Sequence, residues 1–225
     1  MRGLKSNLVI SCSEEWKSSR PTLQWSMNSL RLFLKRRITS ILGNEKMKVM
    51  KIKTEDEYTI ILQQLLELNS AMPFENGKAE HAAAIIRLFL QKAEMNISIF
   101  CNSLDRRVYG ERSVQDAAKK CIQRGVSLRI ICQKRPDKDI ESFYEKLLAG
   151  ASDVSSLQIG EGKLESFKEN FSVADSKMYR YEPDRSRCKA VACLNDPEAA
   201  KILQNSFEDI RNSLDPSRHD LPSFV

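Results

Sequence analysis

An α/β fold, with strands and helices alternating along one chain, is what this sequence predicts, and three observations carry the prediction. Apolar runs of strand length recur at Asn96 to Cys101, Val126 to Cys132 and Phe171 to Ala174. Between and beyond them the apolar period changes to that of amphipathic helices, as in Val114 to Arg124 and Pro197 to Leu214. Finally, 225 residues with 41% hydrophobic and 29% charged content suit one ordinary globular domain with an appendage.

The order of elements follows from local chemistry. Lys48 to Ile52 reads as a short strand, and Glu55 to Leu68 as a helix burying Tyr58, Ile61, Leu62, Leu65 and Leu66. Pro73 and Gly77 punctuate a loop, after which Lys78 to Ala93 is a helix on Ala82, Ile85, Ile86, Phe89 and Leu90. His81, beside Glu80 near the start of that helix, reads as a surface histidine. Strand Asn96 to Cys101 leads into a polar loop, Asn102 to Gly110, with Asp105, Arg106, Arg107 and Tyr109. Helix Val114 to Arg124 turns Ala117, Ala118, Cys121 and Ile122 inward, is capped by Gly125, and returns as strand Val126 to Cys132. Strand, helix, strand within about thirty residues is the crossover of a parallel sheet.

Asp139 to Leu148 is the next helix, ended by Gly150, and Ser156 to Ile159 a short strand. Phe171 to Ala174 and Met178 to Tyr181, joined at Asp175-Ser176, form a strand pair; Ala190 to Leu194 is the last strand. Pro197 sits well in the first turn of the closing helix, which turns Ala200, Leu203, Phe207 and Ile210 inward. The tail from Asp215, with Pro216 and Pro222, lacks periodicity.

Residues 1–46 differ from the rest. They hold nine Lys/Arg against three acids and so carry the whole formal net charge of +6, leaving 27 basic and 27 acidic residues in 47–225. Charge alone therefore gives the main body no polyanion-binding character. Within the extension, Met27, Leu30, Leu34, Ile38 and Ile41 share a helical face apart from Arg31, Lys35 and Arg36. Three readings stand: docking on the body or on a protein partner through residues 27–42, contact with an anionic surface, or a segment outside the native product, which would start at Met47 or Met50. Lys35-Arg36-Arg37 interrupts the apolar run, so a secretory signal is not expected.

The expected division is residues 1–46 as extension, 47–214 as the α/β domain and 215–225 as a tail. No apolar run reaches the ~20 residues needed to span a bilayer as a helix. The six cysteines contain no Cys-x-x-Cys pair, and His81 and His219 are the only histidines, so neither a metal site nor a cofactor is expected. Cys101, Cys132 and Cys193 each sit in or at the end of an apolar strand, as buried free thiols do in a reducing cytoplasm, the expected location.

Two stretches carry a family resemblance. One is Ala117-Ala118-Lys119-Lys120-Cys121-Ile122-Gln123-Arg124-Gly125-Val126; the other runs from Asp196-Pro197-Glu198-Ala199-Ala200 to Phe207-Glu208-Asp209-Ile210. In that order, over roughly residues 80–213, the chain resembles the single-domain phospholipase D superfamily. The resemblance implies a phospholipase D-like mixed sheet flanked by helices, and a homodimer that pairs two copies of the site.

That family's chemistry uses His-x-Lys with an Asp five residues after the Lys: one histidine attacks phosphorus and another protonates the leaving group. Placing FSVAD on the strand puts Lys168 at the His position, Asn170 at the Lys position and Asp175 on the Asp. A second register, Asp175-Ser176-Lys177 with Glu182, keeps the spacing but moves the motif beyond the strand it normally precedes. Neither register contains a histidine.

The expectation is a catalytically inactive domain, a pseudoenzyme, that binds, senses or scaffolds within a nucleic-acid-linked regulatory or bacterial defence system. The alternatives are a phosphodiesterase or nuclease with an altered site, and a purely structural subunit recruited by its basic helix. The expected ligand-binding set is Lys168, Asn170, Lys177, Arg180, Arg106 and Arg107, gathered at the carboxyl ends of the strands for a nucleic acid or a phosphorylated ligand. A further alternative is that Asp175, Lys177, Arg180 and Glu182 form only an exposed ion-pair ladder on a hairpin.

Overall fold

The computed structural model describes residues 55–151, 155–186 and 189–215. The basic segment, the expected strand Lys48 to Ile52 and the tail beyond Asp215 lie outside them. The strands are β1 (Phe74–Asn76), β2 (Asn96–Cys101), β3 (Ser127–Cys132), β4 (Ser156–Ile159), β5 (Asn170–Ala174), β6 (Met178–Asp184) and β7 (Lys189–Cys193). The helices are α1 (Glu55–Glu67), α2 (Ala79–Lys92), α3 (Arg106–Tyr109), α4 (Arg112–Gln123), α5 (Lys138–Ala149) and α6 (Pro197–Leu214).

All seven strands form one mixed sheet in the order β1-β7-β6-β5-β2-β3-β4. β2, β3 and β4 are parallel and joined through α4 and α5, whereas β5, β6 and β7 form an antiparallel meander with β5 beside β2. This is an α/β fold with helices on both faces. Two connections were hidden in the sequence. Phe74–Asn76 pairs antiparallel with Ala190–Ala192 as β1, in what reads from sequence as a plain loop, and the polar loop after β2 contains the single turn α3. β6 also runs on past Tyr181 to Asp184, through a register irregularity against β7.

Strand alternation sorts the core into two layers. Ile97, Ile99, Leu128, Ile130, Ala174 and Met178 join one cluster with the inner faces of α1 to α5. Phe100, Ile131, Phe171, Val173, Tyr179 and Tyr181 join the other with Ala199, Leu203, Phe207 and Ile210 of α6. The start of α6 is set by Asp196, whose carboxylate accepts from the Ala199 N–H at 3.2 Å, with Pro197 in the first turn. Gly125 ends α4 at φ +80°, a conformation without penalty only for glycine.

Candidate functional site: a polar cleft at the carboxyl end of β2

β5 and β6 change character along their length on the face covered by α1 to α5. At the turn, Ala174 and Met178 are apolar and belong to the core. At the other end the same face presents Asn170, Ser172, Arg180 and Glu182, with Asn170 opposite Glu182 and Ser172 opposite Arg180. Here a cleft of about 650 Å³ opens between the first turn of α2, the loop after β2 and the polar ends of β5 and β6.

Its inner wall is a connected polar network. Arg180 Nη1 lies 3.5 Å from Glu182 Oε2, and the side chains are only 12% and 10% exposed. Arg180 Nε donates to Asn76 Oδ1 at 3.0 Å, which ties β6 across to the end of β1. Asn170 Nδ2 donates to Glu182 Oε2 at 2.8 Å, and Asn170 Oδ1 accepts from the Asn102 N–H at 2.8 Å. Asn170 therefore holds two walls of the cleft together without adding charge.

The outer rim is more exposed. Asp105 accepts from the Arg107 N–H at 2.9 Å and pairs with that guanidinium at 2.7 Å, so it begins α3 and holds Arg107 over the opening. The Arg107 side-chain hydrogen bond is the main reason the Asp105 carboxyl titrates below the ordinary aspartate range. Burial first, then the nearby Cys101, pushes the Tyr109 phenol well above the ordinary tyrosine range, so a neutral tyrosine lines the floor. Lys78 precedes α2 without a side-chain cap, so it leaves that helix's first-turn N–H groups uncapped beside the cleft. Arg185 closes the far side: its Nη1 donates to the Phe167 carbonyl at 2.9 Å and to Gln133 Oε1.

The structure divides the sequence-expected residues. Asn170, Arg180 and Arg107 line this cleft together. Lys168 is exposed and outside the lining, and Arg106 turns away to pair with Asp139 on α5. Lys177 corrects the expected gathering: it sits in the exposed turn after β5, at the opposite end of the sheet from Asn170, because β5 lies between them. The expected exposed ladder needs the same correction, since Arg180 and Glu182 pair in a largely buried setting at the cleft end, away from Asp175 and Lys177.

Asp175 is at that turn too, with φ +51°, followed by Ser176 at +48°, in a three-residue hairpin loop, 175–177, closed by the Lys177 N–H donating to the Ala174 carbonyl at 3.0 Å. Its carboxylate accepts from the backbone N–H groups of Glu94, Met95 and Asn96 at 2.8, 2.9 and 3.0 Å, pinning the entry to β2.

Lys78, Glu80, Asp105 and Arg185, which sequence reasoning left out of the site, also line the cleft, as does Glu182, which entered only through the second register. Glu182 was the most legible of these, as the alternation from Arg180 along β6 puts it on the same face. Lys78 and Glu80 join only because β1 fixes where α2 begins. His81 is half-buried, stacked on Tyr58 at 4.0 Å between ring centroids, and outside the lining. Among the described residues no three His, Cys, Asp or Glu side chains are grouped to hold a metal ion, and no helix is long and apolar enough to cross a membrane.

Residues 78–218 match the family described as Domain of unknown function (DUF7931). The chain belongs to that family. Its matched region begins at the Lys78 edge of the cleft and contains β2 to β7 with α2 to α6. No curated protein matches the chain. Among solved structures it is similar to Nuc, a phospholipase D family member from Salmonella typhimurium, at 14% identity and TM-score 0.45, over 62% of this chain and 95% of that one. It is also similar to NucT from Helicobacter pylori, at 12% identity and TM-score 0.42, over 63% and 94% respectively. A third is TrmBL2, an archaeal chromatin protein reported with a novel mode of DNA binding, at 10% identity and TM-score 0.45, over 85% and 64%.

Proposed function

We propose that this chain is a phospholipase D-like domain without phosphohistidine chemistry, which binds a phosphate- or carboxylate-bearing ligand in the cleft. It works as a homodimeric sensing or scaffold subunit in a regulatory or defence system linked to nucleic acid. The observation that carries this reading is Asn170. β5 delivers to the cleft the position where the resembling family has its lysine, and here an amide there bridges Glu182 and the Asn102 backbone.

Lys168 stands where the nucleophilic histidine would be, and a protonated lysine is no nucleophile near neutral pH. What the cleft offers is recognition: the guanidiniums of Arg107 and Arg180, and the uncapped first turn of α2. Arg107 lies at the rim with its Nε and Nη2 on the Asp105 carboxylate, which fixes the guanidinium beside the opening. Dimerisation comes with the resemblance, which pairs two copies of the site across a two-fold axis.

The test uses the full chain in EDTA. Light scattering gives the oligomer; calorimetry with inorganic pyrophosphate, and labelled single- and double-stranded nucleic acids, report binding and cleavage. A dimer that binds without cutting is expected. Arg107→Ala should weaken binding about tenfold, the loss of one charge-assisted contact. Metal-independent cleavage would overturn the proposal in favour of a phosphodiesterase or nuclease with an altered site.

A further inference from the structure

Cys101 and Cys132 end the adjacent parallel strands β2 and β3 and are direct register partners. Their sulfurs are 3.8 Å apart, and both are free thiols. Cys132 is wholly buried, whereas Cys101 is 5% exposed and lines the cleft. We infer that Cys101 and Cys132 are a reversible dithiol–disulfide site at the cleft floor, oxidised by a peroxide that enters through the cleft.

The geometry suits a labile bond rather than a permanent staple. Neighbouring strands lie about 4.8 Å apart, inside the Cα span of roughly 4.4–6.8 Å that a disulfide can bridge. The sulfurs must close from 3.8 Å to about 2.05 Å. Directly opposed residues keep their Cβ atoms near the strand spacing, wider than the ~3.8 Å of a relaxed disulfide. The resulting strain favours reduction, the property of regulatory disulfides.

The chemistry balances with the peroxide as the only oxidant. Cys101 Sγ attacks one peroxide oxygen; an S–O bond forms, the O–O bond breaks and one water leaves. Cys132 Sγ then attacks the Cys101 sulfur; the S–S bond forms, the S–O bond breaks and a second water leaves. Two thiols have given two electrons and two protons, and the peroxide has been reduced. The contact with Cys132, then burial, holds the Cys101 thiol well above its ordinary range, so its thiolate is scarce and the first step is slow.

The bond would act on the cleft through the residues that follow. The Gln133 N–H donates to the Cys101 carbonyl at 2.9 Å. Asn102 holds Asn170, and Gln133 holds Arg185. Drawing the sulfurs together shifts both strand ends beneath these contacts.

The experiment treats the full native chain with hydrogen peroxide, blocks remaining thiols with an alkylating agent and digests without reductant for mass spectrometry. The expected result is a cross-linked pair of peptides holding Cys101 and Cys132, lighter by two hydrogens and released by dithiothreitol, with Cys121 and Cys193 still alkylated. Cys132→Ser should yield no cross-link and leave a sulfenic acid on Cys101 that dimedone traps. Hydrogen exchange at residues 102–105 and 133–134 should differ between the reduced and oxidised chain. Recovery of both thiols unlinked, or a bond from Cys101 to another cysteine, would overturn the inference. None of these readouts depends on whether the cleft binds an anion.

Discussion

Asp175 separates a structural role from a chemical one in a single position. Its carboxylate accepts three backbone N–H bonds at the entry to β2, from Glu94, Met95 and Asn96. Two of those bonds are exposed, so water replaces them at little cost; the Asn96 bond is partly buried and is replaced less well. Losing this charge-assisted set should cost about 1–2 kcal/mol. Alanine at φ +51° adds about 1 kcal/mol, because a Cβ without a local hydrogen-bonding group is disfavoured there. Asp175→Ala should therefore destabilise the fold by roughly 2–3 kcal/mol. Asp175→Asn keeps the backbone preference and one acceptor oxygen, which can serve Met95 and Asn96 while Glu94 is lost, so it should cost about 1 kcal/mol. Urea denaturation gives both values, and pyrophosphate binding on the same samples should be unchanged at native concentrations of denaturant. A variant as stable as wild type that no longer binds would refute the assignment of Asp175 to architecture.

Two further outcomes follow from the same geometry. Arg129 joins β3 to Glu208 of α6 at 2.7 Å and to Ser98 at 3.0 Å while lying over the Phe207 ring, with 14% of its side chain exposed. Arg129→Ala should destabilise by about 1–3 kcal/mol by thermal or urea unfolding, less than for an isolated buried pair because Arg211 and Gln204 still reach Glu208. Asp105 titrates below its ordinary value because of Arg107, so its contribution to stability is present above the unfolded aspartate pKa and lost as pH falls through the folded one. The urea midpoint of Asp105→Asn should therefore lie below wild type at neutral pH, and the two should converge well below about pH 3.9.

The helices and central strands were legible because each satisfies its own local pattern. β2 and α6 have the bounds read from sequence, since Asn96, Cys101, Pro197 and Leu214 mark changes of period as well as changes of structure. β1 was not legible: three residues between Pro73 and Gly77 carry no period, and they become a strand only because β7 presents an unpaired edge. α3 was hidden for the same reason, as one turn held by the Asp105 carboxylate is too short to show amphipathicity. For the site, sequence could place Asn170 and Arg180 on one face by alternation. It could not place Lys177, because the last residue of a three-residue turn is close in sequence to both strands and distant from the end where they face the cleft.

The polar network in the cleft is the feature that packing alone does not account for. Along β5 and β6 the same face is apolar at Ala174 and Met178, and apolar side chains could have continued to the end of the strands. A buried ion pair such as Arg180 with Glu182 carries a desolvation cost that apolar residues of similar volume avoid, and such replacement is often neutral or stabilising. Asn170, Asn76 and the Asn102 backbone offset part of that cost by hydrogen-bonding both members of the pair, while Asn76 Nδ2 and Asn102 Oδ1 stay without a partner. The outcome is a guanidinium held in one orientation at the wall of an open cleft, with its side-chain freedom already lost. The proposed anion-binding role would give this arrangement a use that stability alone does not.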